Sequence, residues 1–375
     1  MKKILGWILV LALALCAVSA GADVAADVET GANLNHAELV SKAQTETGTF
    51  IVAGNTSRIQ QAAEDFAALY NIPTESTNMK DQEIYEKLES TTIDMVMIQD
   101  GANLLDYIDA GKVINFVPAA VKDAISESDR EPALVHQFIN KLFIYNNKGD
   151  SVPAIKNVWE LTDPAMKGNV IFKNPTTEKV NMNFLVMLTN EDWSAKLAEA
   201  YKAWKGEDIQ LGEYKNAGYK WIAEFLGNVT FIKSDTTIAE EVSQDTAAGK
   251  IGLFVLSKLR SSSVLTDNLT VAQYDATANG YTVEPFAGFM YPMYVMVSAN
   301  ANRPYTAMLF IEYLMSKDGF TPWGKSIGAY SPNPEITPNE GDLGLDVWKE
   351  NLVIEDPEYI LESYEVEDFI KKYCQ

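Results

Sequence analysis

Short apolar runs alternate with stretches of helical period along most of this chain, and that alternation narrows the possible folds more than any other feature. Thr49-Phe50-Ile51-Val52-Ala53 reads as a strand. Gly54-Asn55-Thr56-Ser57 then opens a helix with Ile59, Ala63, Phe66 and Leu69 on one face, Thr56 or Ser57 serving as N-cap. Asn71-Ile72-Pro73 ends it, and a strand at 73–77 and a helix at 80–89 follow. Ile93 to Ile98 reads as a buried parallel strand that turns at Gln99-Asp100-Gly101 into a helix at 102–110. Three β-α units in a row are the signature of an α/β layer. After a strand at 142–146 the pattern returns: a strand at 169–172, helices at 177–189, 193–204 and 214–226, and strands at 229–232 and 251–255 around a helix at 236–248. A strand at 291–297 precedes an amphipathic helix at 304–316, with Ala307, Phe310, Ile311 and Leu314 on one face. Helices near 343–351 and 364–373 close the chain. The fold class is α/β, in two lobes, since single cores stop growing near about 250–300 residues.

The first twenty-two residues stand apart. Lys2 and Lys3 precede an apolar run from Ile4 to Val18, and small residues close the segment at Ala20-Gly21-Ala22. This is the pattern of a secretory signal peptide, cleaved after Ala20 or Ala22. Leu13-Ala14-Leu15 before Cys16 resembles a lipid-attachment site, but Leu15 is bulky where a small residue is usual. The protein is expected in the periplasm or outside the cell, with lipid anchoring through Cys16 as the lesser alternative. Residues 23–47, rich in Ala, Thr, Glu, Asp and Asn, read as a flexible leader with room for a short helix at 35–44. The net charge of −22 becomes −24 once Lys2 and Lys3 leave, a field that argues against nucleic acid and anionic membranes as partners. With Cys16 removed only Cys374 remains, so no intramolecular disulfide can form.

Gly-x-Ser-x-Gly, Gly-x-Gly-x-x-Gly and the phosphate-loop pattern are all absent. The only histidines are His36, in the leader, and His136, in an expected helix with Val135 and Phe138; both read as ordinary residues rather than triad members. No His/Cys cluster has zinc spacing, and neither a metal nor a cofactor is expected. What recurs is a strand ending in small polar residues that open a helix, at Gly54-Asn55-Thr56-Ser57, Gln99-Asp100-Gly101 and Asn174-Pro175-Thr176-Thr177. Free N–H groups at such ends suit polar or anionic ligands, and open α/β sheets bind ligands at the carboxyl ends of their strands.

In order along residues 48–340, several segments resemble the two-lobed extracellular solute-binding proteins of bacterial ABC importers, the type that includes ferric-iron and spermidine/putrescine binders. The landmarks are Phe50 to Ala53 with Phe66 to Ile72; Ile93 to Met97 with Gly111-Lys112-Val113; Trp159 to Gly168 with its Trp, Leu, Pro and Lys-Gly; Ala247 to Gly252; Phe310 to Lys317; and Ile327 to Asn333. The resemblance implies a type-2 periplasmic-binding-protein fold whose lobes are joined by crossing strands and close like a hinge. Lobe one would comprise 48–142 and 290–330, and lobe two 143–289 and 331–375. It also implies a binding protein rather than an enzyme, acting as a monomer with a membrane permease and ATPase as partners. Its ligand residues would be Asn55, Thr56 and Ser57; Gln99 and Asp100; Asn174, Thr176 and Thr177; Ser257 and Lys258; and Tyr291 and Tyr294 on the returning crossover.

Two departures bear on the ligand. Ferric binders of the family place adjacent tyrosines where this chain has Ser257-Lys258-Leu259-Arg260-Ser261, and polyamine binders place an acid where it has Tyr291-Pro292-Met293-Tyr294. Two cations, the hydroxyls of Ser261-Ser262-Ser263 and helix N-termini suit an anionic or metal-chelate ligand better. A ferric-iron or polyamine binder of the same family, a secreted carboxylate-dependent hydrolase, and a sensory or adhesion protein are the alternatives.

Overall fold

The computed structural model describes residues 23–148, 153–260, 268–273, 280–325 and 327–374. The signal segment with Cys16 and the Ser261-Ser262-Ser263 cluster lie outside the described residues. Within them twelve strands form: β1 (Phe50–Gly54), β2 (Thr74–Asn78), β3 (Met95–Ile98), β4 (Val113–Ile114), β5 (Leu134–Asn146), β6 (Val170–Lys173), β7 (Val229–Ile232), β8 (Ile251–Val255), β9 (Leu269–Val271), β10 (Gly288–Ser298), β11 (Ala329–Tyr330) and β12 (Val353–Ile354).

Two long strands organise the rest. β5 and β10 run antiparallel from Gly288 opposite Leu142 to Val295 opposite Leu134, with a register shift between Met293 and Tyr294. At one end β10 continues onto β3, Val297 facing Met95, and β3 carries parallel β1 and β2. At the other end β5 pairs with β8, Tyr145 facing Ile251, and β8 carries parallel β6 and β7. The two parallel sets thus hang from opposite ends of a two-stranded crossing. One hydrogen-bonded sheet in the order β2-β1-β3-β10-β5-β8-β6-β7 runs through both halves. All four residues of β3 and all eleven of β10 are buried, as expected where both faces are covered.

The β-α alternation behaves as the sequence predicts. Helix Arg58–Tyr70 buries Ile59, Ala62, Ala63 and Phe66 and stops at Asn71, whose φ of 53° is the left-handed C-terminal cap. Leu69, expected on the buried face, is 61% exposed, one helical step beyond it.

Several expectations are corrected. The crossing strand does not begin near 143. Residues 134–141, with His136, are strand rather than helix, because β10 offers a full-length partner. His136 is wholly buried against Trp323, ring centroids 4.6 Å apart, and burial lowers its imidazole to about 3, so it is neutral. Residues 23–47 are not a flexible leader. Helices Val24–Gly31 and His36–Thr45 form there, the second held by a reciprocal Asn35–Glu38 capping box. Val24, Val28, Leu39 and Ala43 join the apolar cluster around Phe50, Phe66 and Phe310. Their packing explains another difference: helix Pro304–Leu314 was expected to be amphipathic, yet every residue but Glu312 is buried, since the two early helices cover its outer side. Glu312 meets His36 Nδ1 at 2.5 Å. The tail, expected to pack mainly on the second half, touches both. Helix Pro357–Glu362 packs on helix Gly101–Asp109 of the first half and helix Lys179–Met187 of the second, and β12 pairs with the start of β10.

A candidate ligand cleft between the lobes

The carboxyl ends of β1, β2 and β3 and of β6 face one another across a cavity of about 740 Å³. On the first side Asp81 organises the loops. Its Oδ1 accepts from Asn55 Nδ2 at 2.8 Å, and its Oδ2 accepts from the backbone N–H of Gln99 at 3.3 Å and of Asp100 at 3.1 Å. Burial, with Asp100 and Glu178 adding like charge, raises Asp81 to about 7. Asp100 caps helix Gly101–Asp109 by accepting from Asn103, and burial raises it too.

The opposite side is built on lysines. Lys141, on β5 and 1% exposed, donates to Asn181 Oδ1 at 2.7 Å and meets Asp235 Oδ1 at 3.3 Å. Lys173, at the end of β6, meets Asp235 Oδ2 at 3.1 Å and also pairs with Glu178. Burial lowers Lys141 despite Asp235 and Glu178. For Lys173 burial acts downward as well, but the two carboxylates outweigh it and the group is raised. Burial would raise Asp235, yet the two ammonium groups hold it below the usual range. Across the cleft, Gln99 Nε2 donates to Glu178 Oε1 at 3.1 Å, a direct bond between the two sides. Tyr291 forms the floor, its phenol held far above the ordinary range by burial.

Beyond Lys173 and Asp235 lies a second group of cations. The charges acting on Lys258 are Asp235, Arg260, Lys173 and Arg58, and burial together with the like charges lowers its ammonium. Arg58 opens the helix Arg58–Tyr70 after β1 of one half, while Lys258 and Arg260 sit on the turn Leu256–Arg260 after β8 of the other. Burial and Arg260 lower Arg58 to about 10.

Of the residues expected at the site, the structure brings Asn55, Gln99, Asp100, Thr177 and Tyr291 to the cavity. The others do different work. Thr56 Oγ1 accepts from Arg58 N at 3.3 Å, and Ser57 is exposed at the helix start without capping it. Asn174 Oδ1 accepts from both N and Oγ1 of Thr176, which is turned to solvent. Ser257 and Lys258 are half-buried on their turn and outside this cavity's lining. Tyr294 lines a different cavity, behind the crossing strands, because three residues on from Tyr291 strand alternation puts it on the opposite face, beside Pro292. Sequence reasoning missed Asp81, Lys141, Lys173, Glu178 and Asp235. For Lys141 a signal was present: Asn140-Lys141 interrupts an otherwise apolar run from Phe138 to Ile144.

No protein-family model matches the chain, and no curated protein matches it in sequence. Solved structures do. Iron-bound HitA from Pseudomonas aeruginosa superposes with a TM-score of 0.65 at 12% identity, over 87% of this chain and 99% of that one. The fold is that of the two-lobed periplasmic binding proteins. Trichodesmium IdiA (FutA), in complex with iron and citrate, gives 0.64 at 14% identity, over 87% and 99%. The periplasmic binding protein AfuA from Actinobacillus pleuropneumoniae, with fructose-6-phosphate bound, gives 0.63 at 16%, over 87% and 98%. At such identities the likeness is one of fold. In the periplasmic-binding-protein fold, β5 and β10 are the crossing strands, and the cavity above Tyr291 lies between the lobes. No described helix is long and apolar enough to cross a membrane, and the described residues contain no group of three or more His, Cys, Asp or Glu placed to hold a metal.

Proposed function

We propose that this protein captures a small polar anion, or an anionic metal chelate, in the inter-lobe cleft outside the cytoplasm and delivers it to the permease and ATPase of an ABC importer. The observation that carries the reading is the approach of Arg58 of one lobe to Lys258 and Arg260 of the other at one end of the cleft, close enough to perturb one another. Like charges brought together by closure cost free energy that an anion between them recovers. Asn55, Gln99 and Thr177 would then serve hydroxyl or carbonyl groups of the same solute. The Gln99–Glu178 bond supports a hinge in which the two rims meet on closing. Two of the neighbours hold solutes of this class, AfuA with fructose-6-phosphate and FutA with iron and citrate, while iron-bound HitA keeps a ferric solute open as the alternative.

Native mass spectrometry of protein purified without denaturation tests for a retained solute. Calorimetry on stripped protein then compares inorganic phosphate, fructose-6-phosphate and ferric citrate with spermidine and free Fe³⁺. Lys258→Ala should weaken the bound anion by about 1.5–3 kcal/mol, the range for a charge-assisted hydrogen bond. Tight spermidine binding indifferent to Lys258→Ala overturns the reading.

A further inference from the structure

A second cavity, of about 270 Å³, lies on the other side of the crossing strands. Its floor includes Phe138 and Pro292, register partners on β5 and β10. Tyr291 faces the ligand cleft, so strand alternation sends Pro292 to the opposite face. One wall is helix Gly101–Asp109, through Leu104 and Leu105; the other is the tail, through Ile354 and Pro357.

Its polar groups are few. Tyr294 is 7% exposed, and its hydroxyl makes no hydrogen bond among the described residues, although it lines the cavity. The hydroxyl lies against Gly101, where a Cβ would come within 3.0 Å of it. Glu355 is already engaged: Oε1 accepts from Gly101 N at 3.3 Å and Oε2 from Asn183 Nδ2 at 2.9 Å. Burial raises it to about 8, so it is mainly protonated at neutral pH. Lys349 and Asp129 neutralise each other at 2.7 and 2.5 Å, with the ammonium also over the Phe138 ring. Glu131 is exposed at the edge, and its Oε2 accepts from Asn115.

We infer that this cavity is a second binding site, for a small uncharged molecule with an apolar body and a hydrogen-bond acceptor that takes the Tyr294 hydroxyl. The Tyr294 hydroxyl has no partner among the described residues, so an acceptor brought in by an apolar guest can take its donor in a largely apolar surrounding, where such a bond is strong. Lys349 and Asp129 are paired with each other, Glu355 is mainly protonated and Glu131 stays at the exposed edge, so an ion in the apolar interior of the cavity would be desolvated without compensation. Since one wall belongs to a lobe-one helix and the other to the tail, a guest also bears on the hinge.

Acetophenone is the probe, and α-methylstyrene, the same shape without the acceptor, is its control. In NMR titrations of the full chain, acetophenone should bind saturably and at least about tenfold more tightly than the control, a difference of one hydrogen bond. Tyr294→Phe should erase that preference with the fold intact by near-UV circular dichroism. Leu105→Trp should block both probes, which separates this cavity from the ligand cleft. Absence of saturable binding, equal affinity for the two probes, or a preference that survives Tyr294→Phe overturns the inference.

Discussion

Asp94 is fully buried and accepts three backbone N–H groups, from Ile51 and Asn302 at 2.7 Å and from Arg303 at 3.1 Å. Burial raises its carboxyl while those bonds and Arg303 oppose the rise. It ties β1, the start of β3 and the turn after β10 together. Asp94→Ala leaves the donors unpaired in the interior and should cost about 3 kcal/mol or more, seen as a lowered midpoint in urea unfolding. Lys141 and Asp235 make a comparable claim in the second half. Lys141→Met leaves Asn181 without its donor and Asp235 with Lys173 alone, and should destabilise by about 3–5 kcal/mol. Because the folded state lowers Asp235, its contribution is full above the ordinary 3.8 and is lost as pH falls through the lowered value. Asp235→Asn should therefore flatten the acid limb of the stability profile below about pH 4, measured by thermal unfolding across pH.

Among the elements, helix Pro304–Leu314 depends on a distant partner. Arg303, at its N-cap position, makes no side-chain cap, so the first N–H groups need another acceptor. Glu46 supplies it, accepting from Tyr305 N and Thr306 N at 2.9 Å and from Thr306 Oγ1 at 2.7 Å. Arg303 in turn donates to the carbonyls of Gly48, Ala43 and Glu46. The helices at 24–45 are thus fastened at their end as well as along their length. Glu46→Ala should lower stability by about 1–2 kcal/mol in chemical denaturation, the upper range for losing a cap. The sequence left room for a short helix at 35–44 but did not show this fastening. A polar, small-residue stretch becomes ordered only because helix 304–314 offers an apolar flank to cover.

At the scale of the whole molecule, the described residues join the two lobes at the crossing strands, at the Gln99–Glu178 contact and through the tail. Glu355 holds the tail contact, bridging a helix of each lobe from a half-buried position. Its raised carboxyl sets a pH dependence of opposite sign to that of Asp235. The stability it permits is complete below the ordinary 4.5 and is lost as pH rises through about 8. Glu355→Gln, neutral at every pH, should remove that decline between pH 5 and 8 in thermal melts, with little change at pH 5. Closure is measurable too: a bound anion should shorten the distance between spin labels on exposed Glu64 and Glu199, and Gln99→Ala should leave the ligand-free distances broader.

Local chemistry wrote the first layer of this protein into its sequence. Apolar runs of strand length, helical periodicity and polar punctuation gave the α/β class, most elements and five of the residues that line the cleft, since strand ends that open helices are visible in one dimension. Tertiary structure decided the rest. Whether 134–141 became helix or strand depended on β10, some 150 residues away. Lys141, Asp235 and Asp81 entered the cleft because chain crossing brought separate β-α units together, and their charges could be tolerated only through one another. Residues 23–47 and the tail read as peripheral because each is apolar on too little surface to fold alone. Burying that surface against elements remote in sequence made one a cover for a helix and the other a strap between lobes.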